Sequence, residues 1–318
     1  MGTFQILGTG KYVPQRTVTN DEIATLVETS DEWIAQRVGV RERHVCVNET
    51  AADLAYEAAL RALENSGCDA SEIDLILAAS VSGETVSPSI ACMVQSRLGI
   101  SCTAFDINAA CSAFLFLLET AAGFFARGTA KKVLVIGAER MSRIVDWADR
   151  STCVIFGDGA GAAVLGEGDA YLASTFCVKG GDTVIKIPQF AGKSPFYSGP
   201  AEPPYIQMNG QETFKYAVKS TCRDVEELLE KTRVTKEQLA YVVPHQANIR
   251  IMDLAAQKLG IPKEKFYINI DRYGNTSSAS IPIALDEMNR GGLIKSGDII
   301  ALTAVGGGLA SAACLLRW

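Results

Sequence analysis

Residues 106–118, D-I-N-A-A-C-S-A-F-L-F-L-L, set a cysteine between a short strand-like run (103–107) and an apolar helix through Phe114, Leu117, Leu118 and Ala121. A thiol at a helix start faces unpaired N–H groups and the positive end of the macrodipole, and both favour the thiolate. Ala109, Ala110 and Ser112 are small enough to let a substrate approach Cys111. A lone cysteine is more often an inert apolar residue, so the case depends on what else the chain supplies.

The search for a base is short, because the chain has two histidines. His44 lies between Arg43 and Val45 in a charged loop and reads as a solvated surface residue. His245 directly follows the apolar run 241–244, in P-H-Q-A-N, and strand C-termini in α/β folds are where ligand groups gather. Asn275 stands in G-N-T-S-S-A-S, which is also turn and N-cap composition. Gly306, Gly307 and Gly308 follow the run 299–304 and suit a turn, but they also bare backbone N–H groups to a ligand. The G-D-G-A-G at Gly157 lacks the dinucleotide spacing and precedes a strand, which excludes nucleotide binding there.

These residues need elements to hold them. Strand runs are expected at 4–8, 75–79, 132–137, 171–178, 241–244, 266–270, 298–304 and 310–316. Helices are expected at 21–28, from Asp31, and at 50–66, 88–99, 111–127, 211–231, 249–259 and 278–289. Residues 180–204, rich in Gly, Pro and Ser, read as loop. Apolar strands alternating with helices predict α/β layering. The element order repeats: strand, turn with Cys111, helix, Arg127-Gly128, strand; then strand, turn with Asn275, helix, Arg290-Gly291, strand. The repeat predicts two similar halves, 1–170 and 171–318, with Cys111 and Asn275 at equivalent helix starts.

At 318 residues and a formal charge of −6, the chain can bury a sizeable core and does not read as a general nucleic-acid binder. An acidic partner would need a local basic patch. Nine cysteines, an odd number without metal-ligand spacing, point to free thiols and a reducing compartment, with no metal. No signal peptide and no membrane-spanning run is read, so a soluble cytoplasmic protein is expected.

The pieces together resemble the β-ketoacyl-[acyl-carrier-protein] synthase III family. The resemblance rests on N-A-A-C-S-A-F, P-H-Q-A-N, G-N-T-S-S-A-S, the late G-G-G, C-V-I-F-G-D-G-A-G-A at 153–162 and S-D-E-W-I-A-Q-R-V-G-V-R-E-R at 30–43. It spans nearly the whole chain in order. It implies a thiolase-like fold, a five-layer α-β-α-β-α sandwich of duplicated halves, and a homodimer. It also implies an acyltransferase that joins an acyl-CoA starter to malonyl-carrier protein, giving a 3-oxoacyl-carrier protein and initiating fatty acid synthesis.

By the same resemblance Cys111 is the acyl carrier. His245 and Asn275 hydrogen-bond the malonyl thioester oxygen. The backbone N–H groups of Cys111 and Gly307 form an oxyanion site. Trp33 and Arg150 flank the adenine of CoA, with Thr29, Arg37, Asn248 and Arg250 along its path. Gln246, Ala247, Asn248, Ile249, Arg250, Lys215 and Lys258 match the carrier-docking patch, which Lys219 extends by one helical turn. Ser87 stands where many members carry a bulky aromatic that limits acyl length from across the dimer. Met93 and Met208 are candidates to refill that space. Relatives with a Cys-His-His site need a second active-site histidine, and His44 is in the wrong context. Thiolases use a late second cysteine, but Cys314 sits in a core-like run. The alternatives are a starter-unit synthase or acyltransferase of polyketide-like metabolism on this scaffold, and a non-catalytic binding homologue.

Overall fold

A computed structural model describes residues 3–188, 195–196 and 202–318. Part of the loop expected at 180–204 therefore lies outside the described residues. Two mixed sheets form the frame. The first runs, in spatial order, Thr3–Tyr12, Asp158–Gly168, Lys132–Arg140, Leu75–Ala79, Thr103–Asp106. The second runs Tyr171–Val178, Ala310–Arg317, Ile299–Gly306, Leu239–Pro244.

The two orders correspond strand for strand in sense. Leu75–Ala79 and Leu239–Pro244 each pair parallel with the neighbour strand, and the next two pairings in each sheet are antiparallel. Where the first sheet adds Thr103–Asp106 in parallel, the second has only a single parallel bridge, Val242 to Phe266. The strand expected at 266–270 is thus reduced to one bridge, and the chain turns into a short helix, Ile270–Tyr273.

Two helices fill the space between the sheets. Ala113–Ala126 is apolar apart from Glu119 and Thr120, as suits a helix covered on both faces. Its Phe114, Leu115 and Leu118 pack with Ile281 and Leu285 of Ser280–Arg290, against Leu77 and Val135 of one sheet and Ile300 and Leu302 of the other. Each such fully buried side chain contributes about 1.5–3 kcal/mol. Ala51–Ser66 covers the outer face of the first sheet, and Gly210–Thr232 that of the second, with Ile249–Leu259 packed beside it. The result is the five-layer sandwich the family resemblance implied.

The helix expected to open at Cys111 opens two residues later. Ala110–Ser112 is a tight 3-10 turn, and the α-helix starts at Ala113. No helix of the described residues is long and apolar enough to cross a membrane.

Candidate active site

Cys111 sits in the 3-10 turn below the apolar central helix. Gly306, at the end of a second-sheet strand, presses on it: a Cβ there would lie 2.7 Å from the Cys111 nitrogen. Only a residue without a side chain lets the two backbones meet. Gly307 follows, with Ala110 and Ile185 on the side a Cβ would occupy. Burial pushes the thiol up to about 12, and the Ser277 side chain nearby opposes part of that rise. The sequence expectation of a thiolate favoured by its helix start thus gives way in the resting state to the cost of burying a charge.

His245 begins where Leu239–Pro244 ends, and its N–H donates to the Thr303 carbonyl at 2.7 Å. Its Nδ1 lies 2.6 Å from Ser280 Oγ, and the Gln246 N–H donates to that same oxygen at 3.4 Å. The Gln246 N–H takes one of the two acceptor positions on that oxygen, and in the tautomer in which the Ser280 hydroxyl donates to Nδ1 the ring proton sits on Nε2. Burial lowers the imidazole to about 4, so it stays uncharged near neutrality. His245 is therefore a neutral hydrogen-bonding group in the cleft and not a cation.

Asn275 is fixed from both sides. Its N–H donates to the Ile155 carbonyl at 2.9 Å, and its carbonyl accepts from Gly157 at 3.1 Å. The crossing is close: a Cβ on Gly157 would lie 2.3 Å from the Tyr273 carbonyl oxygen. The side-chain Oδ1 accepts from the Ser277 N–H at 2.8 Å, so the amide NH₂ is the group left to donate. Cys111, His245 and Asn275 all line one cleft, whose open space including its mouth is about 1040 Å³. Its walls are mainly apolar, with Phe156, Ile206, Met208, Phe214, Met252 and Phe266. A sulfur nucleophile thus shares an apolar cleft with two neutral donors and the backbone beside Gly306.

The profile of the 3-oxoacyl-[acyl-carrier-protein] synthase III family matches residues 105–180, and that of its C-terminal region matches 229–318. The β-ketoacyl-[acyl-carrier-protein] synthase III of Clostridium acetobutylicum is 45% identical over 324 residues, covering 100% of this chain and 99% of that one. The chain belongs to the β-ketoacyl-[acyl-carrier-protein] synthase III family. The crystal structure of 3-oxoacyl-[acyl-carrier-protein] synthase III from Aquifex aeolicus VF5 aligns with a TM-score of 0.93 at 44% identity, covering 100% of both chains. The priming β-ketosynthase of the R1128 polyketide pathway aligns at 0.91 and 33% identity, covering 99% of this chain and 96% of that one. Membership makes this synthase an acyltransferase that initiates fatty acid synthesis, in a family that uses acyl-CoA and malonyl-carrier protein.

Around the mouth of the synthase's cleft, the expected residues divide. Asn248 lines the cleft and caps the helix Ile249–Leu259, accepting from Arg250 at 2.9 Å and donating to the Arg37 carbonyl at 3.0 Å. Arg150 stacks directly over Trp33 at 5.1 Å and donates to the Glu28 carbonyl. An adenine between them requires the pair to open. Arg37 and Arg250 are exposed, and Arg250 lies over Phe214. Thr29 holds a buried hydroxyl without a hydrogen-bond partner among the described residues.

Some expectations are corrected. Gln246 is 1% exposed, and its amide is used up by Pro244, Tyr267 and Asn269, so its side chain braces the loop under His245 and cannot meet a carrier protein. His44 is not a free surface residue but half-buried: its Nδ1 bonds the Pro14 carbonyl and its ring stacks on Tyr273. Ser87 is exposed and lies outside this chain's own cleft. Met208 lines the cleft and Met93 does not. The groove bearing Lys215, Lys219 and Lys258 also carries Glu226, Glu227 and Glu230, so it is mixed in charge.

Two positions escaped the reading of the sequence. Ser280, the hydrogen-bond partner of His245 Nδ1, was visible only as the last serine of a turn-like segment. Glu139 is fully buried and accepts from Ser80, Val81, Ser82 and Ser278. Nothing in its local sequence marks it, beyond a charge at the end of an apolar strand.

Proposed function

We propose that the synthase loads an acyl group from acyl-CoA onto Cys111 and condenses it with malonyl-carrier protein. The convergence of Cys111, His245 and Asn275 on one apolar cleft carries this reading. Cys111 sulfur attacks the thioester carbonyl; CoA leaves as its thiol, taking up the proton the cysteine gives up. The N–H groups of Cys111 and Gly307 are assigned to the oxyanion of that step. Malonyl thioester then enters, and its C–CO₂ bond breaks to release carbon dioxide. The electron pair left on the α-carbon is delocalised into the thioester oxygen, to which His245 Nε2–H and Asn275 Nδ2–H donate. The carbanion attacks the acyl-cysteine, forming the new C–C bond and expelling the Cys111 thiolate. Two neutral donors suit an enolate that exists only transiently, because they avoid a permanent buried charge.

In this reading Trp33, Arg150, Thr29, Arg37, Asn248 and Arg250 receive CoA. Ala247, Asn248, Ile249, Arg250, Lys215 and Lys258 form the docking face for the carrier. The chain acts as a homodimer, in the cytoplasm. Thr103–Asp106 supports the dimer as an edge strand of the first sheet, a position open to pairing with a second copy. Ser87, small and exposed, would then leave the partner's acyl pocket roomy enough for longer or branched starters. The similarity to a polyketide priming synthase favours such starters as the second reading.

The deciding experiment is intact and peptide mass spectrometry after mixing with a panel of acyl-CoAs. A thioester adduct on Cys111, discharged by malonyl-carrier protein to 3-oxoacyl-carrier protein, is expected. No adduct with any member of the panel overturns the condensing reading, and the preferred acyl chain decides between the two starters.

A further inference from the structure

We propose that the Ser277 hydroxyl is a catalytic group that donates a hydrogen bond to the Cys111 sulfur and stabilises its attacking thiolate. Ser277 is 0% exposed and opens the 3-10 turn Ser277–Ala279, which packs against the turn holding Cys111. Its φ is +48°, a left-handed conformation that a non-glycine residue adopts at a cost and keeps where the surroundings demand it. The backbone N–H is taken by Asn275, but the hydroxyl makes no hydrogen bond of ordinary geometry among the described residues. A buried hydroxyl in that condition is expensive unless it is used.

The polar groups it faces are the Cys111 thiol and the Glu139 carboxyl. Glu139 is already supplied: Ser80, Val81 and Ser82 donate to one oxygen, and Ser278 sits at the other. The sulfur is not, since no other side chain hydrogen-bonds it among the described residues. A resting thiol is a weak acceptor and a thiolate a strong one, so the bond tightens as the proton leaves.

The other ionisable groups around the sulfur do not do this. Glu139 carries the wrong charge, and burial pushes its carboxyl up toward the neutral form. His245 is neutral and bound to Ser280. The strand Ile299–Gly306 carries no ionisable side chain. Cys314 and Arg317 are those of Ala310–Arg317; burial pushes the Cys314 thiol up, so it too stays uncharged. Glu119 of the central helix is engaged by Tyr171 and Ser174.

The inference rests on Cys111 as the acyl carrier, but its test does not need acyl-CoA. The rate at which iodoacetamide alkylates the Cys111 peptide is measured by mass spectrometry across neutral and alkaline pH, in wild type, Ser277→Ala and Ser277→Gly. Glycine relieves the left-handed backbone, so a purely structural role predicts that Ser277→Gly is at least as stable and just as reactive. The proposal expects both variants to alkylate about tenfold more slowly at a given neutral pH, with the profile displaced to higher pH. A profile unmoved, or moved to lower pH, in either folded variant overturns it. Acylation of wild-type Cys111 by acyl-CoA, scored separately, reports on the condensing reading alone.

Discussion

The side-chain oxygen of Asn108 accepts from the Ala110 N–H at 3.1 Å, and that of Asn275 accepts from the Ser277 N–H at 2.8 Å, so both form the same turn. Ala110 and Ser277 each have φ +48° and each open a 3-10 turn that leads into a central helix. Counting from these points sets Asn275 opposite Asn108, and Ser278 opposite Cys111. The sequence had paired Cys111 with Asn275; counted from these matching turns, that pairing is off by three positions. One scaffold therefore presents a sulfur from one copy and a carboxamide from the other.

Asn275→Asp follows from this. A carboxylate still accepts from Ser277 and keeps the turn, but it cannot donate to the forming enolate. Malonyl decarboxylation should fall about 10²–10³-fold. Transfer of the acyl group from acyl-CoA to Cys111 should stay within a few-fold of wild type. Release of labelled carbon dioxide, measured beside single-turnover acylation, checks the split; equal losses in both steps would contradict the assignment.

His245 gives a pH prediction. Its folded value of about 4 lies below the ordinary 6.5, so between these the unfolded chain binds more protons than the folded one. Stability from this group is present above about 6.5 and is lost as pH falls toward about 4. Urea unfolding at stepped pH should show that slope in wild type and less of it in His245→Gln. Ser280→Ala should leave the fold intact, free the imidazole to take the other tautomer and slow decarboxylation about tenfold. A decarboxylation rate unchanged in Ser280→Ala would remove Ser280 from this role.

Much of this was readable along the chain, because strand and helix periods and the turn chemistry around Cys111, His245 and Asn275 are local. What was not readable depends on groups far apart in sequence. Ser280 meets His245 across 35 positions, and Glu139 meets Ser278 across 139. Gln246 was placed in the carrier patch by its family position, and nothing local shows that its amide is consumed by three backbone groups. The thiol was misjudged for a related reason: a helix start is visible in sequence, but burial is not. His44 reads as a loop residue until Tyr273 is found against it.

Glu287 ties the two halves together behind the Asn275 segment. It accepts from Lys11 at 2.7 Å, Arg272 at 2.7 Å, Tyr273 at 2.7 Å and Asn269 at 2.7 Å. Burial raises its carboxyl, but these bonds outweigh that and hold it at about 2. Its contribution is therefore present above about 4.5 and lost as pH falls toward about 2. Glu287→Gln should destabilise the fold by about 2 kcal/mol, discounted for partial exposure. A melting temperature equal to wild type near neutrality, together with an unaltered acid limb, would show that the network does not tie the halves.

The carrier face offers a contrast between charge and fold. Lys215 is 70% exposed at its side chain and, among the described residues, paired with Glu212, on a groove whose acidic residues stand about three to four turns further along. Reversing its charge should leave stability within about 0.5 kcal/mol. Lys215→Glu should nonetheless raise the KM for malonyl-carrier protein several-fold at low salt, with the KM for acyl-CoA unmoved. Added salt screens both the attraction and the introduced repulsion, so the gap between variant and wild type should close as ionic strength rises. Initial rates at varied carrier concentration and two salt levels decide it: equal KM values at low salt would take Lys215 out of the docking face, and a gap that persists at high salt would mean its contact is not electrostatic.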